Sequence, residues 1–554
     1  MSRRRFSLAL ALLAAVVATG ASPAGATASH SRINGSGSSW SSNAVNQWVA
    51  DVQPNGLEVV FTANGSAVGR KDFANRTTDF AVSDIGYQGN DSKTGESDTA
   101  QGRAFVYLPI VAGGTGFPYH VKVAGKLVRN LRLSGLTLAK IFTNQITNWN
   151  DGEITKDNNG RALPSKPIIP VVHSEGSGSS AQFTRYLDSV FPNLWRPFLG
   201  KAGPTEYFPR EGNAIAQDGS DGVMNYVASD AADGAIGFDE YSYALGKNYP
   251  VAKIENVNHY FTLPKDYNVA VALTSAQINL DKKSPNYLLQ DLSKVYAKPD
   301  NRSYPLSSYS YMIIPTGSAD PRMTTAKRQT IADYLYYSIC DGQKEMGPIG
   351  YSPLPINLAQ ASFDQVNKLK TADPMVDLTR RDISTCGNPT FVAGHPEVNH
   401  LAQIAPQPPA CDAFNAGPCA DSGTTSARDT GGGTGVTPGG SKAGGGGGTT
   451  GGTSGTTDTG TSGTNGTGKT GATGTVAAGT TGGKTGSTPG DPLANQPGGS
   501  STGTSSDLAG VPTELASGRS PVSSALLGPL AILLLIAAVV APPILSTRLR
   551  RDKG

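Results

Sequence analysis

The sequence predicts an α/β fold in two lobes, and three observations predict it. Strand-like runs rich in β-branched residues alternate with helical patterns through most of the chain, the arrangement of strand–turn–helix units on a sheet. Several of these units carry a Gly/Ser turn between strand and helix. Finally, once two ends of distinctive composition are set aside, about 375 to 390 residues remain, which fits two lobes better than one.

In chain order, Met1 to Arg5 is basic, Leu8 to Val17 is apolar, and Pro23 to Ala28 is rich in small residues. This is a secretory signal over 1–28, with cleavage after Ala26 or Ala28. No cysteine stands near that point to accept a lipid. Ile33 to Trp40 follows, leading into a helical pattern that carries Val45, Trp48 and Val49. Strand-like Leu57 to Phe61 precedes the loop Asn64 to Arg70, and Thr78 to Asp84 is a short apolar strand ending in a carboxylate. Val171 to Ser180 reads as a strand and a Gly-Ser-Gly-Ser turn, with a helix opening at Ala181.

Each such turn gathers backbone N–H groups, hydroxyls and the positive end of a helix dipole, the makings of an anion seat. A single Gly/Ser turn is an ordinary helix cap, and Asp84 by itself reads as a turn cap. Three donor turns with one acidic strand end point to a ligand wrapped by neutral donors with one acceptor. Ligands of open α/β sheets bind beyond the carboxyl ends of strands, where all these segments fall.

The order of motifs resembles the PstS family, the periplasmic phosphate-binding proteins of ABC transporters. The family's four phosphate-surrounding segments are matched by Gly35 to Trp40, Gly65 to Gly69, Asp79 to Asp84, and His173 to Ser179. Further matches are Leu136 to Phe142 with Ile146 to Asp151, Asp233 to Phe238, and Gly350 to Pro355. The resemblance spans roughly 32–370. It implies a type II periplasmic-binding-protein fold over 32–400 whose two hinged lobes close on a ligand. Lobe one would take about 32–108 and 307–400, and lobe two about 109–306. The chain would leave the first lobe near Tyr107 to Pro109 and return near Tyr311 to Ile314.

Carried over position by position, the resemblance implies phosphate ligands at Ser39, Trp40, Ser66, Asp84, Ser177, Gly178 and Ser179. Hydroxyls and N–H groups would donate to the oxygens, while Asp84 would accept the proton that phosphate keeps at neutral pH. Sulfate has no such proton, which gives discrimination. One position departs from the pattern: the family's arginine falls at His173, a mostly neutral cation at pH 7, and its aspartate falls at Glu175. Two residues apart on a strand, they point to the same face and can pair. His173 is read either as a cation standing just behind the ligands or as a structural histidine, with Arg70 the nearest replacement cation in sequence. Trp40 stands where the family has phenylalanine. Trp149 and the stretch Tyr304 to Tyr311 read as core and surface aromatics.

Cys340, Cys386, Cys411 and Cys419 are an even set in an exported chain, which points to disulfides. The spacing favours Cys340–Cys386 and a local Cys411–Cys419 loop in a Cys-containing extension, 401–420. Beyond it, Asp421 to Asp507 is Gly, Thr and Ser with scattered Pro, Lys and Asp. Such a segment buries no core, and the linker over 421–520 is expected to be disordered. Its flexible part spans about 50 Å root-mean-square, enough for a tether through a cell wall. Val522 to Leu545 has the length and apolarity of a transmembrane helix despite Pro529, Pro542 and Pro543. Arg548, Arg550, Arg551 and Lys553 in the tail 546–554 then place the C-terminus in the cytoplasm and the body outside. The expected location is the cell membrane, crossed once.

The formal net charge of the 554 residues is +3, with no basic block outside the termini. Nucleic-acid binding has little support. No Gly-x-Ser-x-Gly elbow sits with a matching histidine and acid, metal-ligand clusters are absent, and no cofactor is implied, so the chain does not read as an enzyme. Two readings of function remain. One is an extracellular, membrane-anchored solute-binding protein that captures inorganic phosphate, or a related oxyanion, for an ABC permease. The other is a wall-spanning surface protein that keeps the fold for sensing, adhesion or scaffolding with a modified anion site.

Overall fold

A computed structural model of the chain describes residues 29–90, 97–379, 381–382 and 385–420. The expected signal segment 1–28, linker 421–520, membrane span 522–545 and basic tail 546–554 lie outside the described residues. Among the described residues no helix is long and apolar enough to cross a membrane.

The first segments form successive parallel crossovers: β1 (Ile33–Gly37), α1 (Ser42–Val52), β2 (Val59–Thr62), α2 (Ser66–Ala74) and β3 (Phe80–Ser83). β1 pairs in parallel with both β2 and β3. All of β3 is buried, as its unbroken Phe-Ala-Val-Ser run requires of a strand covered on both faces. α1 turns Ala44, Val45, Trp48 and Val52 inward at helical spacing, which fixes it against this sheet.

Next come β4 (Phe105–Gly116), α3 (Gly135–Phe142), β5 (Ile169–His173), α4 (Gly178–Val190), β6 (Ile215–Gln217), α5 (Gly219–Val227), β7 (Ala235–Gly237) and β8 (Asp239–Glu240). β5 is the middle strand of a parallel three-stranded sheet, in the order β6–β5–β7. After α6 (Asp266–Leu273) and the hairpin of β9 (Gln277–Ile278) and β10 (Gln290–Asp291), β11 (Ser307–Pro315) returns to the larger sheet. That sheet has the order β8–β4–β11–β3–β1–β2.

β4 and β11 are its longest pair, antiparallel from Phe105 opposite Pro315 to Gly114 opposite Ser307. The two segments at which the sequence predicts the chain to leave and return are direct neighbours: Tyr311 lies opposite Pro109, and Ile313 opposite Tyr107. The register slips between Ser310 and Tyr311. Such a bulge re-aims the side chains around it. Trp149, Tyr304, Tyr309 and Tyr311 are all buried. The expected mixture of core and surface aromatics is therefore core at these positions, for Tyr309 and Tyr311 because β11 is covered on both faces along its whole length.

α7 (Thr325–Ile339) and α8 (Ile356–Ala372) complete the layer on the larger sheet. The chain beyond α8 then runs from the end of α7 to α6. Cys386 is bonded to Cys340 at the end of α7, and α9 (His400–Ile404) packs on α6. Arg302 donates to the carbonyls of Ala402 at 3.2 Å and Ala405 at 3.1 Å. The Cys411–Cys419 loop is held by Arg132, whose Nη1 donates to the carbonyls of Cys411, Ala413 and Ala416 at 3.1, 3.3 and 2.7 Å. Lys253 pairs with Asp412. Both pairings follow the spacing of the cysteines, and together the bonds pin the extension at its two ends.

In the chain-entropy picture a disulfide stabilises more as the loop it closes grows. With sequence separations of 46 and 8, opening Cys340–Cys386 by paired serine substitutions should cost about 4 kcal/mol, and opening Cys411–Cys419 about 2.5 kcal/mol. Guanidinium unfolding of the two double variants checks the order. Equal costs would show that loop closure is not what these bonds contribute.

Candidate anion-binding site

Asp84 is the first residue past β3, so the buried strand delivers its carboxylate to the C-terminal edge of the larger sheet, 1% exposed. Ser38, just past β1, donates through Oγ to Asp84 Oδ2 at 2.7 Å, and Ser66, which opens α2, donates to the same oxygen at 3.1 Å. Ser310, at the bulge of β11, donates to Oδ1 at 2.6 Å. Oδ2 is thereby filled, while Oδ1 keeps one lone pair. Burial pushes the Asp84 carboxyl above its ordinary value, and the hydroxyls of Ser310, Ser38 and Ser66 pull it back part of the way.

Two glycines permit this approach. Gly37 has φ +139°, and a Cβ there would stand 1.9 Å from the Val82 carbonyl oxygen. A Cβ on Gly178 would stand 1.9 Å from Asp84 Oδ2. Neither position has room for a side chain, so α4 meets the carboxylate with its backbone.

α4 begins at Gly178, three residues before the expected opening at Ala181, because Ser177 caps it. Ser177 Oγ accepts from the N–H groups of Ser179 at 3.1 Å and Ser180 at 3.5 Å. The segment read as a turn is thus the first turn of the helix, with the positive end of its dipole at Asp84. The hydroxyls of Ser179 and Ser180 are buried without a hydrogen-bond partner, a cost of about 1–3 kcal/mol each that an anion removes by accepting from them. One turn on, Gln182 Nε2 donates to the Asp84 carbonyl at 2.7 Å.

Ser39 Oγ accepts from the N–H and hydroxyl of Ser220 in α5, at 3.2 and 3.1 Å. Trp40 is buried edge-on to Tyr351, whose hydroxyl donates to the Trp40 carbonyl at 2.6 Å. The chain therefore brings Ser66, Asp84, Ser177, Gly178 and Ser179 around one point, with Ser39 and Trp40 on the adjoining turn.

The charged neighbours sit one layer out. His173 Nδ1 is 2.8 Å from Glu175 Oε1, and Nε2 is 3.2 Å from the Phe238 carbonyl oxygen. Both neighbours are acceptors, so only the doubly protonated ring satisfies both. Burial works against that charge; Glu175, Asp239 and the Phe238 carbonyl outweigh it, and the His173 pKa is raised. Burial pushes Glu175 up, but His173 and the Gly219 N–H pull harder, and its pKa is lowered. Glu175 Oε2 accepts that N–H, at the start of α5, at 3.0 Å. Arg70 is engaged elsewhere: Nε donates to Asp98 at 3.0 Å, Nη1 to Ser83 Oγ at 2.9 Å, and Nη2 to Glu206 at 2.6 Å. Its charge is felt at Asp84, but it makes no hydrogen bond there.

Sequence reasoning passed over Ser38, Ser220, Ser310 and Asp239. Ser38 lies inside a segment already marked as a donor turn and was legible there. Asp239 directly follows the marked run Asp233 to Phe238; burial drives its carboxyl up to about 7 against the pull of His173 and Ser220. Ser310 carries no local signal, since only the bulge aims it.

A family model described as a PBP superfamily domain matches residues 21–342. The chain is 29% identical over 347 residues to the phosphate-binding protein PstS of Methanocaldococcus jannaschii, covering 61% of this chain and 86% of that protein. It is 31% identical over 326 residues to the phosphate-binding protein PstS 2 of Mycobacterium tuberculosis, covering 58% and 83%. Among solved structures it is similar to a high affinity periplasmic phosphate-binding protein (PfluDING) bound with phosphate, at 21% identity and a TM-score of 0.47, covering 60% of this chain and 92% of that one.

Removing the hydroxyl of Ser310 takes a hydrogen bond from a buried carboxylate. Ser310→Ala should lower stability by about 1.5–3 kcal/mol, read as a lower urea midpoint; an unchanged midpoint would mean that Oδ1 does not depend on this donor.

The pair of His173 and Glu175 has its own pH window. The raised His173 pKa makes its contribution complete below the ordinary 6.5 and lost as pH climbs through the raised value. The lowered Glu175 pKa makes its contribution complete above the ordinary 4.5 and lost as pH falls through the lowered value. The melting temperature of the native protein relative to His173→Gln should thus be greatest between about pH 4.5 and 6.5 and shrink on both sides. Parallel melting curves across pH 4 to 9 would mean that the pair does not titrate as a unit.

Proposed function

The chain belongs to the PstS family of phosphate-binding proteins within the PBP superfamily, and from that premise we propose that it captures inorganic phosphate outside the cell for an ABC permease. The observation that carries this reading is the one open lone pair of buried Asp84, set among unpaired serine hydroxyls at the start of α4. Hydrogen phosphate brings a proton for Oδ1. Its remaining oxygens accept from Ser177 and Ser179 and from the backbone N–H groups of Trp40 and Gly178, and Ser66 joins them if its single hydroxyl hydrogen turns from Asp84 Oδ2 to the ligand. Sulfate brings an oxygen lone pair to the same place, so a hydrogen bond becomes a buried repulsion. Sites that require a hydrogen bond reject ligands lacking it by about 10⁴-fold.

In this reading the His173–Glu175 pair stands in for the arginine–aspartate couple of the family. An imidazolium fixed by two acceptors is a cation beside a carboxylate, as that couple is, and it holds Glu175 on the N–H of Gly219. The departure at His173 leaves the charge pattern in place, which favours phosphate capture over a surface protein with a lost site. Lobe closure is part of the proposal: the contacts of Ser39 with Ser220 and of Arg70 with Glu206 join segments on opposite sides of the β4–β11 crossing. So is place, with the body outside the cell, a linker over 421–520 and an anchor over 522–545.

Calorimetric titration of the purified protein tests the function. Phosphate should give saturable one-to-one heat, and Asp84→Asn should reduce the preference for phosphate over sulfate by at least about tenfold while weakening total anion binding less. No heat at millimolar phosphate overturns the reading.

A further inference from the structure

The residues around the anion seat are closed off, with Ser38 1%, Ser66 0%, Asp84 1% and Ser179 0% exposed. A cavity of about 570 Å³ adjoins Asp84. It lies between the loop that follows β3 and helix α4, under the β9–β10 hairpin, and exposed Gln88, Asn286 and Asp291 at its rim open it to solvent. Two lining residues lie one turn apart on α4, the helix whose first turn forms the seat. Gln182 is 7% exposed; its Nε2 is used by the Asp84 carbonyl, while its Oε1 is buried without a partner. Arg185 Nε is likewise buried without a partner, and among the described residues no ion pair or hydrogen bond holds the Arg185 side chain. Arg70, Arg103 and Arg302 each meet a carboxylate.

A half-buried guanidinium without a counter-charge is costly. A ligand relieves both orphaned atoms only if it offers an anionic acceptor to Arg185 and a hydrogen-bond donor to Gln182 Oε1. Hydrogen phosphate carries both on one phosphorus, and sulfate lacks the donor. We propose that this cavity is a vestibular oxyanion site. Arg185 and Gln182 capture hydrogen phosphate there and pass it back along α4 to Asp84, a helical rise to Gly178 of about 10 Å from Arg185 and about 6 Å from Gln182. The inference rests on the phosphate reading and deepens it, since it adds a first station to the route and makes discrimination against sulfate begin before the seat.

A cation in a cleft raises the association rate of an anion, and salt screens that effect. The test is stopped-flow binding of inorganic phosphate to the full-length protein, followed by tryptophan fluorescence, at low and at about 0.15 M ionic strength. Arg185→Gln should slow association about tenfold at low salt and flatten its salt dependence. Arg185→Lys should restore most of the rate. The loss should fall on association more than on dissociation. If wild-type protein gives calorimetric heat and Arg185→Gln associates within twofold of it at low salt, the vestibule is refuted and the phosphate reading stands. If wild-type protein gives no heat, both fall together.

Discussion

A carboxylate held out of water is the constraint around which the rest of this protein is arranged. Ionised Asp84 in a dry site costs several kcal/mol unless its lone pairs are met by donors. Four separate parts of the chain meet them or close them in: the turn after β1, the start of α2, the bulge in β11 and the first residue of α4. None of these donors is charged. Neutral hydroxyls stabilise the carboxylate without cancelling its charge, so in the proposed function its remaining lone pair is left to read the protonation state of a ligand.

The charges are kept one layer away. Arg70 is spent on Asp98 and Glu206, and His173 on Glu175. A cation in direct contact with Asp84 would form a closed ion pair and leave the carboxylate nothing to detect. Held behind Ser83 and beyond the α4 turn, the same charges would, in the proposed function, lower the cost of bringing an anion to the seat. They work with the helix N-termini of α2 and α4, which face the same point. Arg185 differs in having a charge that the protein itself does not use.

Mechanical support comes from β4 and β11. Their long antiparallel pairing carries the chain between the two sheets, and the bulge within it places Ser310. The extension after α8 adds a second connection on the outside, tied by Cys386 at one end and by Arg132 and Lys253 at the other. The site is thus made by segments distant in sequence but joined by rigid connections, and its donors hold their positions before any ligand binds.

What the sequence determined by itself is what local chemistry fixes. Turn residues after β-branched runs located the turns that surround Asp84, the strand ending there located the buried carboxylate, and the spacing of the cysteines gave the disulfide pairing. These signals lie within a few residues of the feature they announce. The tertiary structure alone decided the rest. Ser310 reaches Asp84 from 226 positions away, through a register slip that no periodicity encodes. The His173 pKa is raised partly because its second nitrogen meets the Phe238 carbonyl, a contact between neighbouring strand segments. Arg70, the nearest cation in sequence, is drawn off by Glu206, while Arg185 is left unpaired. In each case the outcome depends on which groups are brought within hydrogen-bonding distance, and only the folded backbone sets that.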